Sequence, residues 1–124
     1  MNDNLLFIGL SHLALNYGVT AAKKYKNVHF FDFKKKIQAF KDKKIKFDEP
    51  KLNTYLEKYK KNIYFNYNLP SINSNTIIFL AIDIKTLKNN KSDYRYINKL
   101  LKFIDENIHK KNLSLVVMSQ VQPN

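Results

Sequence analysis

The residues best suited to chemistry stand near the start of the chain. Gly9-Leu10-Ser11-His12-Leu13-Ala14 follows directly on the apolar run Leu5-Leu6-Phe7-Ile8. A buried strand that ends in a glycine turn and leads into a helix is the layout of the dinucleotide fingerprint G-x-G-x-x-G/A. There the first glycine makes the tight turn, the second lets the backbone approach a pyrophosphate, and the third lets helix and strand pack closely. Gly9 and Ala14 fill the outer positions here, and Ser11 replaces the middle glycine. The helix start, at Ser11, His12 and Leu13, would turn its backbone amides and positive dipole end toward the phosphates.

Asp32 comes 18 residues after Ala14, at the close of a second strand, Val28 to Phe31. A carboxylate at that place accepts hydrogen bonds from the adenosine ribose hydroxyls and repels a 2′-phosphate. The expected cofactor is therefore NAD rather than NADP. The Cβ and hydroxyl of Ser11 intrude where the fingerprint leaves space. Strained backbone there would cost about 1–3 kcal/mol, or about one to two decades in affinity. Weak NAD binding is the expectation, with Gly9, Ser11, His12, Leu13, Ala14 and Asp32 as the cofactor-binding residues. His12 has two readings, a phosphate contact or a surface histidine. His29 and His109 have no metal-ligand spacing, and no metal site is expected. Asp48-Glu49 before Pro50 reads as a helix start rather than an acid/base pair.

Positioning these residues requires an α/β fold. Leu13 to Tyr25 has its apolar and small residues at helical spacing, with Lys23 and Lys24 in the last turn. Phe33 to Phe40 reads as a short helix. Pro50 opens another, with Leu52, Tyr55, Leu56 and Tyr59 as its stripe. Ile63 to Phe65 and Thr76 to Ile82 are the third and fourth strands. Lys85 to Ser92 reads as a polar loop. Asp93 starts a long helix with Ile97, Leu100, Leu101, Ile104 and Ile108 on one side, and Leu113 to Met118 is the fifth strand. Continuously apolar strands alternating with helices imply a Rossmann-like, doubly wound parallel sheet of about five strands, in the order 3-2-1-4-5. Ligands bind such sheets at the carboxyl ends of the strands. That order leaves the fifth strand at an apolar edge, so a covering segment, an edge contact or association of copies is expected.

Composition sets the bounds. The chain has 124 residues, which is one domain, and no cysteine, which excludes disulfides, thiolate metal sites and a thiol nucleophile in this chain. The longest apolar run, Ile77 to Ile82, is far too short to cross a bilayer, and the first residues lack a signal-peptide start. A cytoplasmic protein is the expectation. The net charge is +12, but Arg95 is the single arginine among 22 basic residues. Base readout and phosphate forks lean on arginine, so no specific nucleic-acid partner is expected.

Several blocks, in order, resemble the N-terminal NAD-binding domain of the UDP-glucose/GDP-mannose dehydrogenase family. Phe7-Ile8-Gly9-Leu10-Ser11-His12-Leu13-Ala14 is similar to the family's opening IGLGYVG, and Phe31-Asp32-Phe33-Lys34 to its V-D-x-D. Phe47-Asp48-Glu49-Pro50-Lys51-Leu52 resembles Y-x-E-P-G-L, and Ile77 to Ile82 resembles VIFIAV. Asp93-Tyr94-Arg95-Tyr96-Ile97 is similar to D-L-S-Y-V, and Met118-Ser119-Gln120-Val121-Gln122-Pro123 to K-S-T-V-P-P. The resemblance implies NAD-dependent oxidation of a nucleotide-sugar C6 hydroxyl to a carboxylate. Residues 1–124 would be the cofactor domain of a longer architecture, with NAD and a nucleotide sugar as partners. The family's threonines are replaced by Ile84 and Gln120, and its nucleophilic cysteine belongs to a region outside this match. The chain alone is expected to lack turnover. The alternative is a divergent Rossmann-like domain that has lost cofactor affinity and serves as a structural or partner-binding module.

Overall fold

The computed structural model describes residues 3–43, 50–109 and 113–121. The strands are β1 (Asn4–Ile8), β2 (Asn27–Phe31), β3 (Ile63–Asn66), β4 (Thr76–Thr86), β5 (Ser92–Asp93) and β6 (Ser114–Val121). The helices are α1 (His12–Ala21), α2 (Lys34–Lys41), α3 (Pro50–Lys58) and α4 (Arg95–Asn107). Asp48, Glu49 and Pro123 lie outside the described residues.

The main sheet is parallel and runs β3-β2-β1-β4-β6, which is the expected order when strands are numbered without the short β5. Alternation along each strand divides the core in two. Leu5, Phe7, Val28 and Phe30 pack with α1, α2 and α3 on one face. Leu6, Ile8, Phe31, Ile78 and Leu80 pack with Leu100 of α4 on the other. Burial on both faces is why β1 reads as an unbroken apolar run.

On the α1 face, one register row is aromatic across four strands. Phe65, Phe30, Phe7 and Phe79 are mutual partners in the ladder. Their rings stack with centroids 5.0, 5.4 and 4.6 Å apart. Offset aromatic pairs at this spacing add attraction beyond the area they bury.

Element ends differ from the sequence reading most at α1, β4, α4 and β6, the last of which is Ser114–Val121 rather than Leu113 to Met118. Helix α1 stops at Ala21, because the amides of Lys23 and Lys24 bond back to Thr20 and Ala21 in a tightened turn. Lys23 and Lys24 therefore follow the helix instead of closing it. Strand β4 runs on to Thr86, and the segment read as a loop turns back at Asn90 to pair β5 antiparallel with Lys85 and Thr86. Helix α4 begins at Arg95, after Tyr94.

Candidate cofactor site

The turn from β1 into α1 lies between the carboxyl ends of β1, β2 and β4. Gly9 has φ +100°, a region that favours glycine, and a Cβ there would come within 3.2 Å of the Ala81 carbonyl oxygen. Its amide donates to the Phe31 carbonyl at 2.8 Å, tying the turn to β2. Ser11 then caps α1: its Oγ accepts from the Ala14 amide at 3.0 Å and donates to the Ala81 carbonyl at 2.6 Å. Ser11 sits in extended backbone at φ −125°. The strain expected of it is absent, because its side chain turns inward to β4 and is consumed as a cap. His12 and Leu13 follow as half-buried first-turn residues, and Ala14 is fully buried against the core.

Asp32 follows the last residue of β2 and has no exposed surface. Its Oδ2 accepts from the Leu10 amide at 2.7 Å, and its Oδ1 from the Phe33 amide at 2.7 Å. The Tyr96 hydroxyl, from the first turn of α4, also donates to Oδ2. Lys36, one turn into α2, brings its ammonium to 3.9 Å from Oδ2 and lies over the Tyr96 ring at 4.2 Å from the centroid. Burial pushes the Tyr96 phenol up, and the Asp32 charge and hydrogen bond push it further, while a Leu10 backbone contact works the other way. The Lys36 ammonium is lowered, chiefly by burial and also by Lys85, against the pull of Asp32 and Asp83.

The six expected cofactor residues thus form one contiguous turn-and-carboxylate unit. The turn half suits a pyrophosphate: a glycine reversal, a capped helix start and a backbone with no strain at Ser11. The carboxylate half does not present itself to a ribose, because Asp32 is enclosed by protein donors. Tyr96 and Lys36 were not singled out in the sequence. Lys36 is hidden in the run Lys34-Lys35-Lys36, and Tyr96 is 64 residues from its partner. Ile84, where the family resemblance placed a threonine, is buried, and Gln120 pairs in register with Asp83. Among the described residues no group of three or more His, Cys, Asp or Glu could hold a metal ion.

The sequence model described as "UDP-glucose/GDP-mannose dehydrogenase family, NAD binding domain" matches residues 3–124. The chain belongs to this family. Its fold is shared with solved structures of low identity. One is the UDP-N-acetyl-mannosamine dehydrogenase Cap5O from Staphylococcus aureus, with TM-score 0.74, 19% identity and 98% of this chain covered. A second is a UDP-D-ManNAc dehydrogenase from Pyrococcus horikoshii, with TM-score 0.72, 12% identity and 94% covered. A third is a GDP-mannose dehydrogenase from Pseudomonas aeruginosa, with TM-score 0.72, 21% identity and 97% covered. This NAD-binding-domain relative spans 29%, 28% and 29% of those three chains. No curated protein sequence matches it. None of its described helices is long and apolar enough to cross a membrane.

Proposed function

We propose that this domain holds NAD, weakly and in preference to NADP, for a nucleotide-sugar dehydrogenase that oxidises a C6 hydroxyl to a carboxylate. The observation that carries the reading is the turn itself. Gly9 at φ +100° and the Ser11 cap stand at the β1–β4 switch point, inside a family match that covers nearly the whole chain. Gly9 to Ala14 would take the pyrophosphate and Asp32 the adenosine ribose. A nucleotide sugar would be met by other parts of a longer protein. The lack of cysteine suits a cytoplasmic setting without requiring one.

Calorimetry with NAD and NADP tests this. NAD is expected to bind at least about tenfold more tightly than NADP, a difference of about 1.4 kcal/mol, and Asp32→Ala is expected to erase the preference. Ser11→Gly is expected to change affinity only slightly, since a glycine cap costs a few tenths of a kcal/mol and no strain is relieved. Equal affinity for both dinucleotides would refute Asp32 as the ribose residue.

One observation favours a second reading, a Rossmann-like module without cofactor affinity. Asp32 is fully enclosed, and its carboxylate joins the glycine turn to α4 as a structural tie would. An absence of binding heat with either dinucleotide would select that reading.

A further inference from the structure

Three donors hold Asp32, and they are not equivalent. The Leu10 and Phe33 amides are backbone groups fixed by the turn and by the start of α2. The Tyr96 hydroxyl is carried on a side chain, at the second residue of α4. A carboxylate oxygen accepts about two hydrogen bonds. Oδ2 has both, from Leu10 and Tyr96, and Oδ1 has no path to solvent because the side chain is completely buried. Lys36 covers the outer side of the Tyr96 ring, so ring and ammonium together close the carboxylate off.

We infer that Tyr96 is a latch on Asp32: its hydroxyl occupies the carboxylate oxygen that a ribose diol would take, and a dinucleotide binds only when Tyr96 releases it. The inference rests on the dinucleotide reading of the site and adds the residue that regulates it. The physical case is one of competition. A ribose hydroxyl and a phenol are donors of the same kind, and one oxygen position cannot serve both. The closed arrangement lowers apparent affinity by the fraction of molecules in which the carboxylate is open. On this reading, weak NAD binding would come from the closed carboxylate at Tyr96 rather than from strain at Ser11. The element that must move is small. Only the two-residue β5 precedes α4, and the start of the helix is held by the exposed contacts of Asp93 with the Arg95 amide and guanidinium, so release falls to the Tyr96 side chain. Tyr96 acts through Asp32, so it is a positioning residue.

The test is NAD calorimetry on the wild-type chain and on Tyr96→Phe, which removes the hydroxyl that holds the ring over Asp32, so that the ring can swing aside. The variant is expected to bind NAD at least about tenfold more tightly. A second measurement reads the latch in the wild type, should the variant fold poorly. Tyrosine labelled with carbon-13 at Cζ is followed by NMR, with the Tyr96 signal assigned through the backbone. That signal is expected to move on saturation with NAD as the hydroxyl exchanges Asp32 for water. Equal affinity of the two proteins, weaker binding by the variant, or an unmoved Tyr96 signal at saturation overturns the latch and leaves the dinucleotide reading standing. No NAD binding by either protein overturns the dinucleotide reading and the latch with it.

Discussion

His29 shows how one side chain couples this fold to pH. Its ring stacks on Tyr64 across the β2–β3 ladder, with centroids 4.8 Å apart. Its Nδ1 is buried without a hydrogen-bond partner among the described residues. Burial holds the imidazole below its ordinary value of 6.5. The folded state therefore binds fewer protons than the unfolded one just below that value. Stability is full above the unfolded pKa and falls as pH drops from it toward the folded pKa. His29→Phe keeps the stack and removes the titration. The melting temperature of the variant is expected to fall less than that of the wild type between pH 7.5 and pH 5, and parallel curves would rule His29 out as the source. Asp93, held at about 2 by its hydrogen bonds from Arg95, titrates well below that range. At this scale the sequence carried part of the candidate site. Gly9, Ser11, Ala14 and Asp32 are legible because turn chemistry and the strand end are local. Tyr96 and Lys36 are not, because their meeting at Asp32 depends on how α2 and α4 cross the sheet.

At the scale of the element, α1 depends on a glycine that the fingerprint does not mention. Gly18 lies one turn beyond Ala14, directly over the aromatic row. A Cβ there would stand 2.2 Å from Phe30 Cζ and 2.7 Å from Phe30 Cε1. Neither ring atom can retreat, since Phe30 is stacked on both Phe7 and Phe65. Gly18→Ala gains about 1 kcal/mol of helix propensity. Overpacking a full core costs about 1–3 kcal/mol, and more where the clash is with a locked ring. The variant is expected to be less stable by denaturant titration with its m-value unchanged; equal or greater stability would mean that Phe30 can yield. Gly18 is one of the small residues at helical spacing in α1, but spacing alone does not reveal what faces it. Helix and strand positions followed from apolar periodicity in nearly every element. The exception is the β4–β5 hairpin. Its residues Lys85 to Lys91 are polar apart from Leu87, and the positive φ falls on Asn90 rather than on a glycine, so neither alternation nor turn chemistry marks it strongly.

At the scale of the whole molecule, the main sheet ends at β3 on one side and at β6 on the other, and the β6 edge is the apolar one. β6 pairs with β4 along one edge, and no described strand pairs with its other edge. Leu115, Val116 and Val117 are 46%, 39% and 57% exposed, so successive apolar residues are open on both faces. Parallel strands are ordinarily covered on both faces, and a bare apolar edge is a template for pairing. The strand order that leaves β6 at the edge was readable from the sequence, because each apolar run and each crossover helix is local. Opposing association is the net charge of +12, which repels copies of the chain at low ionic strength. Salt screens that repulsion over about 10 Å at 0.1 M and about 3 Å at 1 M, while leaving the apolar attraction in place. The 124-residue chain is therefore expected to associate with increasing concentration in about 0.5 M salt, and less so in dilute buffer. Val117→Lys places a charge on the most exposed of the three positions, as edge strands often do, and is expected to suppress the association. Sedimentation velocity across a concentration series at both salt levels measures this. A monomer at every concentration in high salt would show that the β6 edge does not drive association, and a Val117→Lys protein that associates as strongly as wild type would place the contact elsewhere.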